Sequence, residues 1–166
     1  MGLLRYIYND KNFINNTKDI LLNDEFKKTR KIVHHGSNRF DHSLRVSYLS
    51  FKLSKICGCD SKAVARAGVL HDFFLERDDE NIKTETKMLL NHPTIAKNNA
   101  IKYFNINEKE QNIIESHMFP ISSVAPKYKE AWLVSICDKI VAMFESFGFA
   151  KSQVAAWVLL FINFIK

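Results

Sequence analysis

The chain has 166 residues, 46% of them hydrophobic and 25% charged, a balance typical of one soluble globular domain. Five Gly and three Pro supply few turns, which disfavours a many-stranded β-sandwich and predicts an all-α fold. The net charge of +6 suits a nucleic acid, a membrane surface or a small anionic substrate equally well. The densest basic stretch, at 27–31, lacks the interleaved aromatic residues of a base-stacking surface, so we expect no nucleic acid partner.

The cysteines and the N-terminus predict a cytoplasmic protein. Cys57, Cys59 and Cys137 are an odd number in or beside helical stretches, which argues against a disulfide framework. The N-terminus lacks the basic and apolar regions of a secretory signal. The apolar run at 154–162 is about half as long as a membrane span, so we expect no membrane association.

The first two predicted helices lie on either side of a glycine-containing loop. Residues 17–33 form an amphipathic pattern with Thr17 as a plausible N-cap, and Gly36 follows as a stop signal. The next pattern, at 39–57, repeats its apolar residues at intervals of three and four and includes His42 in that stripe. His42 is therefore expected to be buried.

The third predicted helix ends at a His-Asp pair. Asp60 or Ser61 is its expected N-cap, and Gly68 permits close approach of a neighbouring helix on the face that carries His71. His71 is thus expected to point inward, with Asp72 directly after it.

Two further predicted helices each carry a histidine near one end. Pro93 suits a first helical turn, which places His92 at or just before the N-terminus of its helix. Asn107 and Glu110 have the spacing of a capping box at the start of the following helix. His117 lies near the end of that helix.

The last strong helical pattern, at 129–147, has a carboxylate in its apolar middle. An ionised Asp138 is unfavourable there unless it is paired or coordinates a metal. Pairing with Lys139, Arg45 or Arg66 is the ordinary alternative.

Each of these histidines and aspartates also has a simple structural explanation, such as a hydrogen-bonded core residue or a helix cap. However, helices that pack about one core bring their inward side chains to a common point. Imidazole and carboxylate groups suit Fe, Mn, Zn and similar cations. Four His and two Asp suffice to bind two metals, especially if Asp72 bridges them, and such a pair activates water for displacement at phosphorus.

The segments FDHSLRVSYLSF, GVLHDFFL, NHPTIAKNNA, IIESHMFP and SICDKIVAMFE resemble the HD-domain superfamily of metal-dependent phosphohydrolases. They resemble its six-ligand, dinuclear branch, and more narrowly a group of small bacterial predicted phosphohydrolases. The resemblance implies a helical bundle with the metal site in its interior. It also implies a ligand set. His42, His71 and Asp138 would hold one metal, His92 and His117 would hold a second, and Asp72 would bridge the two.

The resemblance implies a metal-dependent phosphohydrolase, either a phosphomonoesterase or a phosphodiesterase, that acts on a small phosphorylated metabolite or nucleotide through a metal-activated water. Its cofactors would be two divalent ions, Fe or Mn in preference to Zn, Co, Ni or Mg. Leu75 stands where HD-domain nucleotidases typically carry Glu, which weakens a deoxynucleotide 5′-phosphatase assignment. The alternatives are a diiron HD-domain oxygenase and a non-catalytic nucleotide-binding HD module.

Three residues besides Asp72 are candidates for catalysis. Arg45 and Lys139 could hold a phosphate or stabilise a leaving oxygen, or could form salt bridges instead. His35 could protonate a leaving group, or could be a surface histidine.

The domain organisation is predicted to be simple. Residues 1–166 form a single HD domain with its core at about 30–147. Residues 148–166 form an apolar C-terminal helix, buried or self-associating, through which the chain could form a homodimer.

Overall fold

The structure, a computed structural model, describes residues 2–34, 37–75 and 85–146. This part of the chain contains eight α-helices and one two-stranded antiparallel ladder, which confirms the all-α prediction. The helices are α1 (Gly2–Asn9), α2 (Lys11–Leu22), α3 (Asp24–Lys27), α4 (Arg39–Ser54), α5 (Ser61–Leu70), α6 (Glu85–Tyr103), α7 (Glu108–Ser116) and α8 (Lys129–Ser146). A 3-10 turn (Lys28–Lys31) and the strands β1 (Val33–His34) and β2 (Ser37–Asn38) lie between α3 and α4.

The prediction of one helix over 17–33 is wrong. The helix α2 begins earlier, because the Asp10 side chain accepts hydrogen bonds from two backbone N–H groups of its first turn. Thr17 is buried inside α2, where its hydroxyl donates to the carbonyl of Phe13 at 3.0 Å. Asn23 then ends α2 and caps α3 with its side chain. The side chains of Asp10 and Asn23 therefore set the starts of α2 and α3, and Thr17 caps neither helix.

The helix α4 is the centre of the bundle. It packs against α5 and α8, and α5 packs in turn against α2 and α7. His42, Val46 and Leu49 of the predicted stripe are buried. Ile56 is exposed, because α4 ends before it, at Ser54.

The predicted caps of α5 and α7 are confirmed, whereas the predicted start of α6 is wrong. Asp60 accepts from the backbone N–H of Ala63, and Asn107 and Glu110 form a complete capping box. The helix α6 begins at Glu85, so Pro93 lies in its interior and is buried. Proline favours a first turn because it lacks an N–H, but Pro93 lies in the interior of α6 instead.

Two predictions concern parts of the chain outside the described residues. His35 and the predicted C-terminal helix at 148–166 both lie there. Homodimer formation through that helix therefore stays a prediction. Within the described ranges, none of the helices combines the length and the apolar character needed to cross a membrane.

The contact between α4 and α5 is tight at one point. A Cβ added to Gly68 would lie 2.8 Å from the Cα of Ser47, which is closer than real Cβ contacts allow. Beside it, the Ser47 hydroxyl donates to the carbonyl of Ala65 at 2.7 Å. Glycine is therefore required at this position for the two helix backbones to approach each other.

Replacing Gly68 with Ala should destabilise the protein. The added methyl group forces α4 and α5 apart, which costs about 1–3 kcal/mol, and higher helix propensity offsets about 1 kcal/mol of this. Urea unfolding followed by circular dichroism measures the change. Lys62→Ala, an exposed change on the same helix, is the control and should stay within about 0.5 kcal/mol of wild type. A Gly68→Ala variant more stable than wild type would contradict the tight contact.

Candidate metal centre

Six buried polar side chains from five helices or helix ends meet in the interior of the bundle. None of them is more than 7% exposed. They are His42 in α4, His71 and Asp72 at the end of α5, His92 in α6, His117 at the end of α7 and Asp138 in α8. The structure thus brings together every residue that the sequence singled out as a metal ligand.

Asp138 lies at the centre of a first cluster. Its Oδ1 atom is 3.1 Å from Nε2 of His42 and 3.4 Å from Nε2 of His71. In the described part of the chain, Asp138 therefore pairs with two imidazoles. The alternative partner Arg66 lies elsewhere, paired with Glu110 and Asp19.

Asp72 links this cluster to a second one. Its Oδ2 atom is 3.8 Å from Nε2 of His71 in the first cluster. Its Oδ1 atom is 3.4 Å from Nε2 of His92 and 3.5 Å from Nε2 of His117. The two oxygens of one carboxylate thus face two different groups of imidazoles.

Helix ends fix the orientation of two of the rings. The Nδ1 atom of His71 lies 2.9 Å from the carbonyl of Gly68, and Nδ1 of His117 lies 2.7 Å from the carbonyl of Ile114. These carbonyls belong to the last turns of α5 and α7, where backbone oxygens lack helical partners. A carbonyl only accepts, so Nδ1 donates in each ring and Nε2 of the neutral ring keeps its lone pair.

This arrangement fits a bound cation. Nε2 of His71 is buried and makes no hydrogen bond to the described residues, although carboxylate oxygens lie near it. Nε2 of His117 faces Nε2 of His92 at 3.0 Å. Lone pairs and carboxylates that face each other in a buried site are unfavourable unless a proton or a metal cation lies between them. Ligand atoms within 4.8 Å of one another occur in two groups, His42–His71–Asp138 and His71–Asp72–His117.

The protonation properties also indicate attraction for positive charge. Burial opposes the protonation of His42, but hydrogen bonds to Asp138 and Glu145 outweigh it and raise the pKa of His42 to about 10. Burial likewise opposes ionisation of Asp138, yet its contacts with His42 and His71 hold the pKa of that carboxyl well below its usual range. Burial and the neighbouring His71 lower the pKa of His117 to about 3, so this ring is neutral.

Comparison with protein-family models shows to which family the chain belongs. The HD domain family matches residues 39–143, which include all six clustered side chains. The chain belongs to the HD-domain family. Comparison with curated proteins and with solved structures gave no match. Membership places the chain in a superfamily of metal-dependent hydrolases, and the buried His and Asp groups of this HD domain are consistent with a divalent metal site.

Sequence reasoning missed one residue that contacts the first cluster. The Oε2 atom of Glu145 is 2.8 Å from Nδ1 of His42, and its Oε1 atom is 2.6 Å from Nη1 of Arg45. Glu145 lies seven residues after Asp138 on α8, a spacing that puts both carboxylates on the same helix face. That spacing was the available signal.

Two other catalytic candidates, Arg45 and Lys139, have structural partners among the described residues. Arg45 forms an ion pair with Glu145, as the salt-bridge alternative anticipated. The ammonium of Lys139 donates to the carbonyl of His117 at 3.0 Å and to the hydroxyl of Ser135 at 2.8 Å, and burial lowers its pKa. Phosphate binding by Arg45 or Lys139 stays a prediction.

An apolar wall borders the second cluster. The rings of Phe74 and His92 lie with their centroids 5.3 Å apart. Arg39 holds Phe74 in place, because its guanidinium lies 3.5 Å from the Phe74 ring centroid and Nη1 donates to the Phe74 carbonyl at 2.7 Å. Phe74 therefore packs against His92 and contributes to its burial.

Divalent metal should stabilise the folded protein. At a free metal concentration 100 times the Kd, binding contributes about 2.7 kcal/mol, which for a chain of this length raises the Tm by about 5–10 °C. Differential scanning fluorimetry with Mn²⁺ or Fe²⁺, under anaerobic conditions for iron, measures this shift.

Two variants test the origin of that shift. His71→Ala should reduce it strongly, because the ring belongs to the first cluster and also borders the second. Thr17→Val, a buried and nearly isosteric change in α2, should keep it. A full shift in His71→Ala would show that metal binds somewhere else.

Proposed function

We propose that this HD domain is a dinuclear phosphohydrolase that acts on a small phosphorylated metabolite or nucleotide. The observation that supports two metals is the position of Asp72, whose two oxygens face different imidazole clusters. A carboxylate in that position is suited to bridging two cations. Hydrolysis at phosphorus is the reaction typical of the family.

The ligand assignment follows from the two clusters. His42, His71 and Asp138 would hold one metal, His92 and His117 would hold the other, and Asp72 would contact both. Nitrogen and oxygen donors of this kind suit Fe or Mn, with Zn, Co, Ni and Mg as alternatives. When bound, two such ions acidify a water molecule and neutralise charge on the oxygens of a phosphate.

The protein's own contribution would be to orient these donors before metal arrives. Backbone carbonyls at the ends of α5 and α7 hold the rings of His71 and His117 with Nε2 inward. Lys139 and Ser135 both donate to the carbonyl of His117 and so tie the end of α7 to α8. Ligands that are already oriented lose little conformational freedom on binding, which favours tight and specific coordination.

The metal content of the protein tests this proposal first. Elemental analysis of protein purified without chelators or a histidine tag should give close to two metals per chain. His92→Ala and His117→Ala should each retain close to one, because they remove ligands from the second cluster alone. Two metals retained in both variants would contradict the assignment.

Activity tests the reaction. The metal-loaded protein should release phosphate, or cleave a diester, from at least one member of a panel of sugar phosphates, nucleotides and cyclic nucleotides. Asp72→Ala should lose both metals and fall to the uncatalysed rate, whereas Thr17→Val should remain active.

Other outcomes would favour the alternatives. Iron-dependent oxygen consumption without activity on phosphate esters would identify a diiron oxygenase. Full metal occupancy and tight nucleotide binding without turnover would identify a non-catalytic binding module.

A further inference from the structure

We infer that Glu145 is a positioning residue for the metal centre, and that Arg45 holds Glu145 in place. Glu145 fixes the ring and tautomer of His42, so that Nε2 is the atom offered to the metal. This inference rests on the metal centre of the proposed function. It assigns a role to a residue outside the six proposed ligands.

The carboxylate of Glu145 is held at both oxygens. Oε2 lies 2.8 Å from Nδ1 of His42, and Oε1 lies 2.6 Å from Nη1 of Arg45. Arg45 also donates to the hydroxyl of Ser37 at 3.0 Å, which connects the group to β2. The side chains of His42, Glu145 and Arg45 are only 0%, 6% and 12% exposed. The three groups therefore have little freedom to move.

His42 needs such a partner because of its position in α4. His71 and His117 lie at helix ends, where carbonyls of their own last turns are available to Nδ1. His42 lies within α4, where backbone carbonyls accept helical hydrogen bonds. Its Nδ1 group must therefore find an acceptor on another element, and α8 supplies it.

One face of α8 supplies a carboxylate to each nitrogen of the ring. Asp138 lies at Nε2, at 3.1 Å, and Glu145 lies at Nδ1, at 2.8 Å. Because Glu145 contacts the nitrogen remote from Asp138, it acts through His42. A carboxylate accepts the Nδ1–H, leaves the Nε2 lone pair for a metal and makes the imidazole a stronger donor.

Arg45 offsets the energetic cost of burying the Glu145 carboxylate. An unpaired ionised Glu at 6% exposure would be strongly unfavourable, and the short contact with Arg45 offsets its charge. The Arg45–Glu145 ion pair thus stabilises the buried charge and also helps to orient the ring of His42.

The test compares metal affinities. Metal-free wild type and variants are titrated with Mn²⁺ in competition with a chromogenic chelator. Glu145→Ala should weaken the tightest site by about 10–100-fold, the usual effect of losing such an outer partner. Glu145→Gln should weaken it less, because its amide oxygen can still accept from Nδ1–H.

Glu130→Gln is the matched control. Glu130 is also a buried carboxylate on α8, 4% exposed, and it accepts a hydrogen bond from the backbone of Asp60 at 2.9 Å. It has no contact with His42 among the described residues, so its loss should leave Mn²⁺ affinity unchanged. An equal loss of affinity in Glu130→Gln and Glu145→Gln would overturn the inference, because it would point to general destabilisation of α8.

A spectroscopic measurement separates positioning from stability. In the Zn²⁺-loaded wild type, the Nδ1–H proton of His42 should give a slowly exchanging NMR signal, and Glu145→Ala should lose it. If Glu145→Ala fails to fold, Glu145→Gln carries the test, and wild-type affinity in that variant overturns the inference.

The failures of the two proposals are distinguishable. Wild-type affinity and an unchanged Nδ1–H signal in Glu145→Ala would overturn the positioning role alone. Absence of metal binding by the wild type would overturn the proposed function, and the positioning role with it.

Discussion

Two carboxylates buried among imidazoles set the main constraint on this structure. Asp72 and Asp138 are 3% and 7% exposed and lie in the middle of a helical bundle, where an ionised carboxylate is unfavourable without positive charge. The surrounding rings supply part of that charge, because the pKa of His42 is raised to about 10, whereas His117 is held neutral. A divalent cation bound between the carboxylates would supply the remainder, which links the packing of the bundle to its capacity to bind metal.

The bundle orients its rings in two physically different ways. At the ends of α5 and α7, carbonyls that the helices leave unpaired hold Nδ1 of His71 and His117. In α4, a carboxylate from a different helix does the same for His42. In the first case the orientation depends on local backbone geometry, and in the second it depends on how α4 and α8 pack.

The sequence predicted the features that depend on local chemistry. The caps at Asp60 and Asn107 and the inward position of His42 follow from spacing and side-chain type, and they are confirmed. The start of α6 was misplaced because the general preference of proline for a first turn does not hold at Pro93, which is buried in the interior of the helix. Glu145 was missed because its partner lies 103 residues away along the chain.

Gly68 contributes both to the packing of α5 against α4 and to the orientation of His71. Its missing side chain lets α5 approach Ser47 of α4, and its carbonyl holds the ring of His71. A substitution that shifts this turn therefore moves the ring of His71, a proposed metal ligand, as well as a helix contact. The position is expected to tolerate little sequence variation, and a substitution made there for thermostability is expected to change metal affinity as well.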